Sequence, residues 1–205
     1  MESASLAAPR HSPADEHPVE ANQSSRVNRA FLGMLMFIGS EVMIFAAFFT
    51  AYVFLRVVVA PPDWPPAGIE LPVDVAGVNT LILLSSSVTL HYALASVRRD
   101  NRVGMKIGMG STFLLGLTFL TIQVREYVHL GFAPHDNGFA SIFYGLTGLH
   151  GAHVFIGLCI LMMINVRVWR GHYSSQAHLG LEVPGIYWHF VDIMWIFVFS
   201  SLYVL

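Results

Sequence analysis

The segment FYGLTGLHGAHVFIG, residues 143–157, lies within a longer apolar stretch at residues 140–166. That stretch exceeds the roughly 20 apolar residues that a helix needs to cross the hydrocarbon core of a bilayer. His150 and His153 stand ~15–20 Å from its start at a helical rise of roughly 1.5 Å per residue. Ionisable groups at that depth are costly and normally face other protein or a polar cavity. The segment therefore predicts a transmembrane helix with two inward-facing histidines.

The composition indicates a membrane protein independently of any single segment. The chain has 205 residues, of which 55% are hydrophobic and only 12% are charged, whereas a soluble domain is nearer one-quarter charged. A net charge of −2 gives no indication of a nucleic-acid partner. The single cysteine, Cys159, excludes an intrachain disulfide and a thiolate metal cluster. Because it lies in an apolar span, we expect it to be a buried packing thiol.

Five apolar spans predict an all-α integral membrane bundle. They cover residues 31–59, 78–97, 103–126, 140–166 and 185–205, within a transmembrane domain at 29–205. Prolines in the segment between the first two spans exclude one continuous helix there. Residues 1–28 are polar and proline-containing, and they cannot bury enough apolar surface to fold alone. We expect them to form a flexible tail.

The basic residues predict the orientation of the bundle. Cytoplasmic loops carry an excess of Lys and Arg, and here most of the 11 basic residues lie on one side. The residues on that side are Arg26, Arg29, Arg98, Arg99, Arg102, Lys106, Arg167 and Arg170. We therefore predict a cytoplasmic amino terminus and an external carboxyl terminus.

Glu41 is the most informative charged residue of the first span. It lies about ten residues into that span, hence ~15 Å deep, where an unpaired carboxylate should become protonated or find a partner. One interpretation is a neutral acid hydrogen-bonded between helices; the other is a proton-linked or lipid-linked group. Since His150 and His153 reach a similar depth from the opposite side, we predict that Glu41 contacts a histidine.

The histidines also raise the possibility of haem or metal ligation. Such sites need several ligands at matching heights, and His91 and His189 are placed at other heights by the predicted spans. Hydrogen bonding between helices is therefore the favoured interpretation for His150 and His153. In the fifth span Asp192 lies within one turn of His189, so local neutralisation of its charge is expected.

Other polar residues fit interfacial and packing roles. Arg56 and Arg125 close two helices on the external side, where each could meet a lipid headgroup, and Arg125 could pair with Glu126. Small polar residues of the second span and a GxxxG pair in the third, Gly104 and Gly108, favour close helix contacts. The sequence has no phosphate-binding loop, nucleophile–base pair or redox cysteine pair. This inventory favours an accessory subunit over an autonomous enzyme.

Taken together, five motifs resemble subunit III of the haem–copper oxidases, in its short five-helix form. They cover all five spans in order: SEVMIFAAFF, NTLILLSSSVTL, TFLLGLTFLTIQVREY, FYGLTGLHGAHVFIG and YWHFVDIMWIFVFSSLY. The resemblance implies an accessory role in a proton-translocating terminal oxidase, with no haem, copper or other metal bound by this chain. The redox centres belong to subunit I, beside which this subunit packs, with subunit II and further subunits in the same complex.

The resemblance also implies a V-shaped cleft that holds phospholipid. The first and second helices would form one arm of that cleft and the third to fifth helices the other. Its buried polar residues would be linked to lipid binding or to proton supply; they map onto Glu41, Glu126, His150, His153, His189 and Asp192.

Several alternatives remain at this stage. Short subunit III chains occur in cytochrome c oxidases and in quinol oxidases, and a related protein accompanies nitric oxide reductases. Among these, a cytochrome c oxidase of a bacterial plasma membrane is the preferred interpretation. A free-standing proton-coupled carrier and a membrane cytochrome with histidine-ligated haem are hypotheses of a different class.

Overall fold

A computed structural model describes residues 29–59, 64–66, 68–173 and 179–204. These ranges contain five helices that are long and apolar enough to cross a membrane, and no β-strand. The all-α, five-helix prediction is therefore confirmed. The predicted flexible tail at residues 1–28 lies outside the described residues.

The helices extend beyond the apolar spans read from the sequence. They are α1 (Arg29–Phe54), α2 (Val73–Arg98), α3 (Arg102–His129), α4 (Gly138–Trp169) and α5 (Leu179–Phe199). Two of them continue as short π-helical turns, α1 through Leu55–Val59 and α5 through Ser200–Val204. Helices α2 and α5 start well before the predicted residues 78 and 185, because helix ends can carry polar residues once they reach the headgroup region.

Asparagine side chains fix the starts of two helices. Asn101 accepts a hydrogen bond from the backbone N–H of Gly104 at 2.9 Å at the start of α3. Asn137 accepts one from Ala140 at 2.8 Å at the start of α4. Each cap satisfies one of the backbone donors that a helix start leaves unpaired. The turns before the third and fourth spans are thus defined locally.

Helices α2 to α5 form a four-membered ring, and α1 packs outside it. In the ring α2 contacts α3, α3 contacts α4, α4 contacts α5 and α5 contacts α2. Helix α1 lies against α4 and α5 and has little backbone contact with α2. This arrangement differs from the predicted grouping of α1 with α2 in one arm and α3 to α5 in the other.

Small residues explain why α2 pairs with α3 instead. A Cβ added at Gly108 would lie 2.8 Å from the Ala93 Cβ and 2.9 Å from the Thr89 carbonyl oxygen. Only glycine permits two helix backbones to approach so closely. Thr89 and Thr112 hydroxyls then hydrogen-bond across the same interface at 2.8 Å. The predicted GxxxG contact is therefore formed, and it joins α3 to α2.

Two tryptophans of α5 fill the centre of the ring. Trp188 donates its indole N–H to the Ser86 Oγ at 2.9 Å, and Trp195 donates to the Thr80 Oγ1 at 2.9 Å. Both side chains are fully buried. Each large ring thus satisfies its only polar atom on α2, which fixes the rotation of α5 relative to that helix.

The expectation that Cys159 is buried is wrong. Its side chain is exposed on α4, on the same face as the exposed Phe155, Ile156, Met162 and Met163. Lipid is as apolar as a packed interior, so the lipid-facing side of a transmembrane helix does not differ in hydropathy from its packed side. Apolar surroundings in the sequence therefore could not place this thiol.

Candidate functional site

Glu41 and His153 form a buried pair between α1 and α4. The Glu41 Oε2 lies 2.8 Å from the His153 Nε2, and the two side chains are 14% and 9% exposed. The other ring nitrogen, Nδ1, lies 2.7 Å from the carbonyl oxygen of Leu149. The predicted contact between Glu41 and a histidine is thus present, with His153 as the partner.

The Leu149 carbonyl determines how this pair holds a proton. A carbonyl oxygen only accepts, so His153 Nδ1 carries a hydrogen and donates it. The Nε2 atom must then share one proton with Glu41. That proton resides on the carboxyl group, facing a neutral imidazole, or on the imidazole, facing a carboxylate. Both arrangements have no net charge, which suits a site at membrane depth.

Aromatic residues enclose the Glu41–His153 pair. The Phe45 ring, one helical turn from Glu41, lies 5.0 Å from the His153 ring between centroids. The Tyr187 hydroxyl of α5 donates to the His153 carbonyl oxygen at 3.1 Å. Helices α1, α4 and α5 therefore meet at this pair.

His150 occupies a different environment from His153. Its ring is fully buried, with centroids 5.8 Å from Phe119 and 4.7 Å from Trp195. Neither ring nitrogen has a hydrogen-bond partner in the described part of the chain. The expectation of hydrogen bonding between helices is therefore right for His153 and wrong for His150. Residues three apart on a helix diverge by about 60°. This difference lets the His153 imidazole face α1 while the His150 imidazole faces α3 and α5.

A second polar cluster joins α2 to α5. The Ser87 Oγ lies 2.8 Å from the His189 Nδ1 and donates a hydrogen bond to the Asp192 Oδ2. Asp192 is buried, and its Oδ1 has no hydrogen-bond partner in the described ranges. Ser87 therefore lies between His189 and Asp192, and the neutralisation of Asp192 by His189 stays a prediction. Sequence reasoning placed Ser87 only among the small packing residues, because the cross-helix register that selects it is not encoded locally.

The remaining candidates lie toward the opposite end of the bundle. Arg56 donates from Nη1 to the Tyr52 hydroxyl at 2.8 Å, and that hydroxyl donates to the Ser201 carbonyl oxygen. Glu126 is half-buried and lines a cavity of 240 Å³ with Glu70 and His129. These contacts tie α1 to the end of α5 and place Glu126 beside the segment that precedes α2.

Arg125 lies on the exposed side of α3, and no salt bridge between it and Glu126 is present in the described chain. Successive helix residues point about 100° apart, so the predicted ion pair is not formed. No group of three or more His, Cys, Asp or Glu side chains within the described ranges could hold a metal ion. Helix α5 starts at Leu179, so His189 stands ten residues inside it and is deeper than the predicted span implied.

Comparison with known proteins gives a consistent result over nearly the whole chain. The profile of the family "Cytochrome c oxidase subunit III" matches residues 14–205. Cytochrome c oxidase subunit 3 of Thermostichus vulcanus is 43% identical over 178 residues, covering 85% of this chain and 86% of the relative. The Synechocystis protein of that name is 39% identical over 200 residues, covering 95% and 82%.

The human protein with the same name is 39% identical over 176 residues, which cover 83% of this chain and 67% of the human chain. The matched region includes all five helices and every buried polar residue described above. The chain belongs to the cytochrome c oxidase subunit III family.

Proposed function

We propose that this chain packs beside subunit I of a cytochrome c oxidase and sustains proton uptake during oxygen reduction. Its other expected neighbours are subunit II, further subunits of the complex and phospholipid. The Glu41–His153 pair supports a proton-linked role most directly, because it holds one exchangeable proton at membrane depth without net charge. In this proposal haem and copper reside in the partner subunits and none in this chain.

The location of the pair supports an accessory role. Helix α1 buries only Phe45 and Tyr52 within the chain, and many of its large apolar side chains are exposed. Lipid or other subunits must cover that surface. A change at Glu41 can therefore act on neighbouring molecules through the position of α1.

The proton-linked role is tested in the assembled oxidase with Glu41→Gln and Glu41→Ala. We expect the initial rate of electron transfer to stay within about twofold of wild type while activity is lost faster during sustained turnover. Asp74→Asn, which changes an exposed carboxylate at the start of α2, serves as the control and should behave as wild type. An immediate loss of haem reduction in the Glu41 variants would contradict the proposal.

The partner and the electron donor are tested by mild-detergent purification of the tagged chain, followed by haem extraction and metal analysis. We expect haem a and copper to travel with a larger membrane chain, and this chain to be colourless once that partner is removed. Haem b or o with copper would indicate a quinol oxidase, and haem b without copper a nitric oxide reductase. Fractionation of the source cells should recover the complex in the plasma membrane.

A further inference from the structure

The polar cluster between α2 and α5 has a geometry that the accessory role does not explain. His189, Ser87 and Asp192 form one hydrogen-bonded series, from the His189 imidazole through the Ser87 hydroxyl to the Asp192 carboxyl group. The two ends differ in exposure, since Asp192 is buried and His189 is only partly so. A hydrogen-bonded series with one buried end, Asp192, and one more accessible end, His189, has the layout of a proton-exchange path.

The register of the antiparallel helices α2 and α5 places this hydrogen-bonded series at a defined depth. Arg98 of α2 donates to Glu182 of α5 at 2.7 Å, which fixes these residues at one level. His91 and His189 each lie seven residues inward from that ion pair, hence ~10 Å deeper on both helices. Ser87 and Asp192 follow about one turn further inward. The exposed His91 therefore stands at the level of His189, on the side of the ion pair.

We propose that Ser87 relays a proton between His189 and the buried Asp192. In the first arrangement an imidazolium donates from Nδ1 to the Ser87 Oγ, and the Ser87 hydroxyl donates to an ionised Asp192. In the second, Asp192 is protonated and donates to the Ser87 Oγ, whose hydroxyl donates to the neutral Nδ1. The conversion breaks one N–H bond and forms one carboxyl O–H bond, while Ser87 accepts one proton and releases one.

Charge balance makes this exchange possible within a membrane. Both arrangements are neutral overall, imidazolium with carboxylate or imidazole with carboxylic acid, so neither leaves an isolated charge between the helices. The His189 Nε2 keeps its hydrogen during this conversion. A proton can enter at Nε2 only when His189 is neutral with its hydrogen on Nδ1, and Nδ1 then releases that hydrogen to Ser87. Ser87 is essential, because no other described side chain hydrogen-bonds to the Asp192 carboxyl group.

Ionisable side chains on the helices packed against α5 do not complete a competing path. They are Arg29, Glu41 and Tyr52 on α1 with Arg56 in the turn that continues it, Asp74, His91, Tyr92 and Arg98 on α2, and Tyr144, His150, His153, Cys159 and Arg167 on α4. Glu41 hydrogen-bonds to His153, and the His150 ring packs against Trp195 at a tilt. The relay deepens the proposed proton-linked role, but it uses other residues, so it can fail while the proposal for Glu41 stands.

The test is infrared difference spectroscopy on the purified complex, which records the carbonyl stretch of protonated carboxyl groups. Asp192→Asn identifies the Asp192 band by its loss. After transfer into deuterated buffer, the rate at which that band shifts reports proton exchange at Asp192. We expect Ser87→Ala to slow this exchange on the order of a hundredfold, as for removal of a positioned proton-transfer group, and Ser87→Thr to restore it to within a few-fold.

Ser85→Ala is the matched control, because Ser85 lies on the same helix and, among the described residues, its hydroxyl donates only to the Leu81 carbonyl oxygen of that helix. It should exchange as wild type does. His189→Gln provides a second route if Ser87→Ala does not assemble, and it should slow the exchange to a similar extent. Unchanged exchange in Ser87→Ala or His189→Gln, or no Asp192 band in wild type across the pH range in which histidine titrates, would overturn the proposal.

Discussion

Helices α1 and α2 show opposite relations between hydropathy and burial. The most apolar 18 residues of the first span have a mean hydropathy of 2.3, against 1.5 for those of α2, yet only 11% of the first set are buried, against 28% of the second. Helix α2 has the small polar residues, and it packs against both α3 and α5. Hydropathy thus identifies a membrane span, whereas small and polar residues identify the face that packs.

The same contrast applies to polar groups. The hydroxyls of Thr80, Ser86 and Ser87 on α2 each hydrogen-bond to a side chain of α5. Within the described residues, α1 reaches α4 through one such contact, from Glu41 to His153. Loss of a single polar contact should therefore matter more for the position of α1 than for the α2–α5 interface.

The largest effect is expected at the α2–α3 contact. Gly108→Leu would drive a side chain into the Thr89 and Ala93 backbone, which lies 2.9 Å from the position of an added Cβ, and overpacking of this kind costs ~1–3 kcal/mol or more. We expect loss of the folded subunit from the membrane, measured by the yield of assembled complex. Gly110→Leu is the control, since nothing lies within 4 Å of its Cβ position. Equal yields of the two variants would contradict the close α2–α3 contact.

The next effect concerns the Trp188 packing site. A Cβ at Gly157 would lie 2.8 Å from the Trp188 ring, so Gly157→Ala should lower the free energy of unfolding by about 1–3 kcal/mol. Gly148 on the same helix has open space at its Cβ position. Gly148→Ala should therefore leave stability unchanged or raise it by up to about 1 kcal/mol through helix propensity. SDS-titration unfolding measures both, and a stabilised Gly157→Ala variant would argue against the observed seating of Trp188.

A smaller effect isolates the polar contact between α1 and α4. A double-mutant cycle with Glu41→Gln and His153→Ala should give a coupling free energy of about 0.5–3 kcal/mol, because the two side chains share one proton. The same cycle with His150→Ala should give a coupling near zero, since neither ring nitrogen of His150 has a hydrogen-bond partner in the described part of the chain. Dissociation of the subunit from the complex in increasing detergent provides the measurement. Equal coupling to both histidines would refute this distinction.

The smallest effect is expected at the exposed thiol. Cys159→Ser changes a side chain on the outer face of α4, and surface substitutions away from specific contacts usually stay within about 0.5 kcal/mol. The unfolding transition should therefore be unchanged. A small apolar thiol reagent should label Cys159 in the native chain, and protection in the complex alone would locate a partner subunit on that face. A thiol that reacts only after unfolding would mean that this face of α4 is covered within the chain.

Much of the candidate site could be predicted from local sequence, and the contacts that this prediction missed have a common cause. Depth along a span identified Glu41, His150, His153 and Asp192, because a polar residue within an apolar window stands out. The depth of a residue does not determine which neighbouring side chain it contacts. The pairing of Glu41 with His153 rather than His150, and the contacts of Ser87 with His189 and Asp192, were therefore not predictable. Both depend on helix rotation and on the register between helices.

The sequence by itself determined the number of spans, the approximate ends of the helices and the family to which the chain belongs. Long apolar windows and co-linear motifs encode these features locally. Only the tertiary structure decided that α1 lies outside a four-helix ring, that Cys159 faces outward and that Ser87 bridges His189 to Asp192. In a membrane the outer and inner faces of a helix are almost equally apolar, so the packing face is selected by interhelical contacts that hydropathy does not record.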